Sequence, residues 1–129
     1  MSIPTEKQAF PLPLRGEFVG NDCWRLTATF EYINGDVHIV IQEKFLTDGA
    51  SIPRLAQLIT GGHWSGKYPK ATVPHDFLYW SKLYSRKEAD IIFYESMQIL
   101  GVPFWKRWLM YHNVRMWAWM AWNRHRAND

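Results

Sequence analysis

The sequence predicts an α+β fold, with an N-terminal antiparallel β-hairpin or small sheet followed by three or four helices. Three observations carry this prediction. Apolar residues alternate from Trp24 to Tyr32 and again from Val37 to Ile41, with Asn34-Gly35 between the two runs. From Thr72 onward the apolar spacing turns helical, and Gly101 with Pro103 punctuates it. The order of strands first and helices after is that of an α+β domain. At 129 residues the chain fits a single domain, residues 1–129.

Residues 1–17 carry Pro4, Pro11, Pro13 and Gly16 and read as an irregular arm, with a short strand near Phe18. Trp24, Leu26, Ala28, Phe30 and Tyr32 share one face of a strand running to Ile33. Asn34-Gly35 predicts a two-residue turn, because both positions favour positive φ. The return strand runs to about Leu46. Thr47-Asp48-Gly49-Ala50-Ser51-Ile52-Pro53 is a turn-rich loop, Arg54 to Thr60 a short helix, and His63 to Lys70 loop again. A helix over Thr72–Lys82 tolerates Pro74 in its first turn. Ser85 caps the next helix, Glu88 completes a capping box, and Gly101 ends it. Pro103 opens a last helix reaching about Arg124.

The chain is 47% hydrophobic, enough for a sizeable core, and it holds eight Trp. Its one cysteine, Cys23, excludes an intramolecular disulfide and any need for an oxidising compartment. No charged segment plus apolar run of a signal peptide opens it, and the apolar run Met116–Trp122 is far short of the roughly 20 residues of a membrane span. The expectation is a soluble protein, bound at most to a membrane surface. Net charge is +3, and Lys106, Arg107, Arg115, Arg124 and Arg126 crowd the C-terminal end. That end is either a solvated helix surface or a face for phosphates on lipid; nucleic acid is not the expected partner.

The chemistry-bearing residues cluster. His75 and Tyr79 are four apart and share a helix face, while Asp76 projects roughly 100° around it. Asp90 lies on the stripe Arg86, Asp90, Phe93, Met97, whose later part is apolar. An inward carboxylate needs a donor, and the short link after Lys82 makes the two helices neighbours. Asp90 is therefore expected to hold His75, with Tyr79 alongside. A histidine held by a carboxylate through Nδ1 is arranged as a general base acting through Nε2. The alternative is a pairing of Asp90 with Arg86 and a satisfied core histidine. Asp48, Gly49 and Ser51 lie in the turn loop, whose oxygens with Asp76 could take a cation or could equally form a capped turn. One Cys and no paired His spacing argue against a structural zinc site, and no phosphate loop or nucleophile elbow is present.

TDGASIPR at 47–54, HDFLY at 75–79, Ser85-Arg86, Ala89-Asp90 and Met97 resemble an uncharacterised family met in tailed phages and prophages, domain of unknown function 1353. The resemblance covers about residues 18–120 and implies a phage or prophage origin. The His-Asp-x-x-Tyr helix followed by an Asp on a second helix is also similar to the active site of phospholipase A2. That similarity implies that His75 activates water, Asp76 binds calcium near the 48–51 loop, Asp90 orients the His and Tyr79 bonds Asp90. The chain departs from it in having one cysteine and in lacking the calcium loop's glycine pattern.

Two readings follow. One is a small phage-encoded hydrolase acting on an ester or lipid, with catalytic His75, Asp90 and Tyr79, a calcium site at Asp76, Asp48, Gly49 and Ser51, and a membrane surface as partner. The other is a non-enzymatic phage component: a virion or tail-assembly protein, or an inhibitor of a host system, with a phage or host protein as partner. Either acts in the cytoplasm of the infected host or in the virion.

Overall fold

The computed structural model describes residues 3–20, 23–47 and 68–124. It has the α+β order, antiparallel strands before helices, and its contacts fall into two compact units, 1–48 and 49–129. No helix among the described residues is long and apolar enough to cross a membrane.

The first unit opens with one helical turn, α1 (Glu6–Ala9), inside the predicted irregular arm. The signal for it is the spacing Thr5-x-x-Gln8: the Thr5 side chain accepts from the Gln8 backbone, and the Gln8 side chain accepts from the Thr5 backbone. This reciprocal cap satisfies two amides that a helix start leaves orphaned. The turn delivers Phe10 into the core, where its ring stacks on Phe30 at 5.7 Å and leans on Tyr32 at 5.2 Å.

Five strands follow: β1 (Gly16–Gly20), β2 (Cys23–Leu26), β3 (Phe30–Asn34), β4 (Val37–Ile41) and β5 (Leu46–Thr47). They form two sheets. One has the order β1-β2-β5, and the other is the β3-β4 pair. The continuous strand expected from Trp24 to Ile33 is therefore broken by a bend at Thr27-Ala28, and the return strand stops at Ile41. Burial nevertheless alternates across the break: Leu26, Phe30 and Tyr32 are buried, while Arg25, Thr27 and Thr29 are exposed. A period of two fixes which face looks inward and says nothing of whether the backbone bends between residues.

The hairpin register also differs by one residue from the expected turn. Asn34 pairs with Val37, so the loop residues are Gly35 and Asp36. Gly35 takes φ 61° at the first loop position, where a type II′ turn demands glycine. Gly16 is needed for a different reason: a Cβ there would run into the Trp24 indole lying over it.

The second unit holds α2 (Tyr68–Ser81), α3 (Arg86–Ile99), α4 (Phe104–Trp117) and α5 (Trp119–Arg124). Helix α2 starts earlier than Thr72, so residues 68–70 are helical and Pro74 lies in the interior. Pro74 itself contributes no amide to the helix ladder. The expected cap of α3 is present, with Ser85 and Glu88 bonding reciprocally. Its end is a Schellman motif: Gly101 has φ 82°, Val102 N donates to Met97 O at 3.0 Å and Gly101 N to Gln98 O at 3.1 Å. Pro103 is the N-cap of α4, not its first residue. The single last helix expected to Arg124 is interrupted at Ala118. The helix expected at 54–60 lies outside the described residues.

Gly35→Val should destabilise the protein by about 1–3 kcal/mol, because a β-branched residue is strained at positive φ. A Cβ at Gly35 meets no atom within 4 Å, so the loss is conformational and not steric. Urea denaturation followed by circular dichroism checks it.

Candidate active site

Helices α2 and α3 are joined by the short link 82–85. Lys82 makes the reversal in the left-handed region, φ 58°, with its amide donating to Leu78 O. Its ammonium donates to Tyr79 O and to Trp122 O, both at 2.8 Å, and lies 4.0 Å from the Trp122 ring centroid. A cation on carbonyls near helix C-termini is favourably placed against the helix dipole. The hairpin so formed sets Asp90, early in α3, against both His75 and Tyr79 on α2.

Asp90 is the hub. Its Oδ1 lies 2.7 Å from His75 Nε2 and accepts from the Tyr79 hydroxyl at 2.6 Å. Its Oδ2 accepts from Arg115 Nη1 at 2.7 Å. The His75 and Asp90 side chains are both 0% exposed. Burial pushes the Asp90 carboxyl up, but the hydrogen bonds and charge of His75, then Tyr79 and Arg115, outweigh it and hold the group below the ordinary carboxylate range. Burial, then the Asp90 charge and hydrogen bond, push the Tyr79 phenol well up, against the lesser pull of Arg86 and Arg115. Tyr79 thus stays a neutral donor. An ionised carboxylate accepts only, so the proton between His75 and Asp90 sits on Nε2.

This arrangement meets the expected His75–Asp90–Tyr79 contact and corrects one detail. The nitrogen that faces Asp90 is Nε2 and not Nδ1, so proton transfer to a reactant would run through Nδ1. The alternative pairing of Asp90 with Arg86 does not occur. Arg86 Nη2 instead donates to Val114 O at 2.9 Å and Arg115 O at 2.6 Å, near the end of α4. Arg86 ties α3 to the α4 backbone, and Arg115 returns from α4 to Asp90 on α3.

Arg115 is not among the expected site residues. The only signal for it is the burial argument itself, because a carboxylate on an apolar stripe calls for a cation. Nor is Phe93, whose ring stacks on His75 with centroids 4.6 Å apart and planes at 30°. The Tyr79 ring lies 4.4 Å from that of His75 and meets Trp122 edge-on at 5.3 Å. The imidazole is therefore flanked by aromatic surface and aimed by one carboxylate.

Asp76 is buried beside His75 in α2. Asp48, Gly49 and Ser51 lie outside the described residues. Among the described residues no three His, Cys, Asp or Glu gather as a metal cage. On α4, the Trp108 and His112 rings lie 4.3 Å apart, and Lys106 lies near Trp105.

Asp90→Asn should cost about 3–5 kcal/mol, since it removes the buried charge from Arg115 and presents an amide donor where only an acceptor fits. The pH dependence has a definite sign. A carboxyl lowered on folding adds stability that is complete above its ordinary unfolded value near 4 and fades as pH falls through the folded value. Denaturation midpoints from pH 6 down to pH 2 should fall in the wild type and fall less steeply in Asp90→Asn.

Residues 24–114 match the family described as Protein of unknown function (DUF1353). Two relatives come from Sinorhizobium fredii. Uncharacterized protein y4jT is 42% identical over 67 residues, which is 52% of this chain and 20% of that protein. Uncharacterized protein y4iH is 33% identical over 90 residues, 69% of this chain and 38% of that protein. The chain thus spans well under half the length of these relatives. No solved structure matches it. The family match runs from β2 into α4 and takes in His75, Tyr79 and Asp90, and the chain belongs to this family of proteins of unknown function.

Proposed function

We propose that this protein is a small phage-encoded hydrolase in which His75 activates water against an ester bond, with a lipid ester as the substrate class. One observation carries the reading: a single ionised carboxylate, Asp90, accepts from His75 Nε2 and from the Tyr79 hydroxyl through the same oxygen. That contact places the proton on Nε2, so the base in this reading is Nδ1. Nδ1 takes a proton from water as the water oxygen bonds to the ester carbonyl carbon. The imidazolium so formed is stabilised by Asp90. It returns the proton to the leaving alkoxide as the C–O bond breaks. Arg115 keeps Asp90 ionised throughout, and Tyr79 holds its orientation.

The resemblance of the motif set to phage and prophage proteins supports a phage origin and action in the host cytoplasm. Asp76 is a buried hard-oxygen donor of the type that calcium takes, and the reading makes it a calcium ligand. The bound ion would supply positive charge to the oxyanion of the attacked ester.

A second reading is favoured by one specific observation. His75 and Asp90 are sealed from solvent, as in a structural network that fixes helix register in a non-enzymatic virion or tail-assembly component, or in an inhibitor of a host system.

Two experiments separate these. His75→Gln keeps an N–H for Asp90 and removes the base. On a panel of short- and long-chain esters it should lower kcat by about 10²–10⁴ while the protein stays folded by circular dichroism. A wild type inert on the whole panel supports the structural reading instead. Millimolar calcium should raise Tm by ligand linkage, and Asp76→Asn should abolish the rise while the apo protein stays folded. An unchanged wild-type Tm removes the metal and leaves the dyad.

A further inference from the structure

Helix α4 buries Met110 and Val114 on one side. On the other side, Phe104, Trp105, Trp108 and Met116 each leave between 47% and 62% of their surface exposed. At about 100° per residue these four fall within an arc of roughly 120°, with His112 and the ion-paired Arg115 among them. A surface helix ordinarily turns charge to the side away from its core. This one turns its largest apolar rings there. Contiguous exposed apolar surface of this kind marks a site of association.

The charges around that face narrow the occupant. Residues 104–124 contain Lys106, Arg107, Arg115 and Arg124 and no Asp or Glu. The charge of Arg115 is matched by Asp90. Lys106 and Arg107 flank the aromatic face: Lys106 Nζ is 5.5 Å from the Trp105 ring centroid, and the Arg107 guanidinium carbon is 5.4 Å from that of Phe104 while its nitrogens donate to the Tyr94 hydroxyl and Val102 O. A second copy docked face to face would bring these cations together with no carboxylate from either helix to meet them. An anionic lipid surface meets both demands, since its phosphates take Lys and Arg while Trp and Phe settle at headgroup depth.

We propose that the Phe104–Met116 face of α4 docks onto an anionic phospholipid surface. The site for this is distinct from the His75 network, so docking stands or falls independently of hydrolysis. It deepens the hydrolase reading only in supplying the surface from which a lipid ester would come.

The test uses the full chain and vesicles of phosphatidylcholine, with and without a fifth of phosphatidylglycerol, in a flotation assay. At low salt the protein should float with the anionic vesicles and its Trp emission should shift to the blue. Binding should drop about tenfold on neutral vesicles or in 1 M salt, where the Debye length falls to about 3 Å. Trp105→Ser with Met116→Ser should abolish flotation while the circular dichroism and Tm stay close to wild type, as exposed positions allow. Lys106→Glu should weaken it about tenfold without touching the apolar rings, by removing one attraction and adding a repulsion. Failure of the folded wild type to float with anionic vesicles at low salt overturns the proposal. So does a concentration-dependent dimer that the serine double variant dissolves, because the face would then belong to a second copy.

Discussion

A carboxylate with no exposed surface sits among aromatic rings in the helical unit, and the placement of three helices answers to it. Asp90 needs donors, and in a buried setting each missing donor would cost more than an ordinary surface contact returns. His75 and Tyr79 come from α2 and Arg115 from α4, so the hairpin link, the crossing of α3 with α4 and the cap at Ser85 all serve one geometric demand. Arg86 adds the reciprocal tie by holding the α4 backbone from α3. The two arginines thus lock the same helix pair from opposite sides, one through a carboxylate and one through carbonyls.

Much of this was legible in the residues. The inward position of Asp90 followed from sharing a stripe with Phe93 and Met97, and the donors followed from the four-residue spacing of His75 and Tyr79. The cap at Ser85-x-x-Glu88 and the stop at Gly101 were local signals with local causes. What escaped the sequence was long-range or geometric. Arg115 lies 25 positions from Asp90, and no spacing rule connects residues on different, non-consecutive turns of two helices. Which imidazole nitrogen meets the carboxylate depends on the helix stagger, not on the order of residues. The bend between Leu26 and Phe30 left the inside-outside alternation intact, so periodicity alone could not reveal it. The turn at α1 was hidden because prolines and a glycine dominate the arm, although Thr5 and Gln8 carried its cap.

The aromatic content divides by role. Phe93, Tyr79 and Trp122 line the environment of the imidazole and of its partner. Phe104, Trp105 and Trp108 turn outward on α4. Eight tryptophans in a chain of this size are therefore not one oversized core. Among the described residues, Trp122 helps to wall a dry polar centre, which needs apolar surroundings to strengthen its hydrogen bonds, while Trp80, Trp105, Trp108, Trp117 and Trp119 keep their rings in contact with solvent.

The nesting of the two sheets bears on the order in which the chain can assemble. β5 is the third strand of the sheet begun by β1 and β2, yet the whole β3-β4 hairpin is inserted between β2 and β5. A hairpin of sequence-local pairs can close early, and once closed it shortens the effective loop that must be drawn in before Leu46 and Thr47 reach β2. Thr47 then takes a fixed register opposite Trp24. Thr47 is thereby pinned to the central strand by an event that depends on a glycine turn about a dozen positions upstream, so a fault in that turn would be felt as late or incomplete pairing of β5.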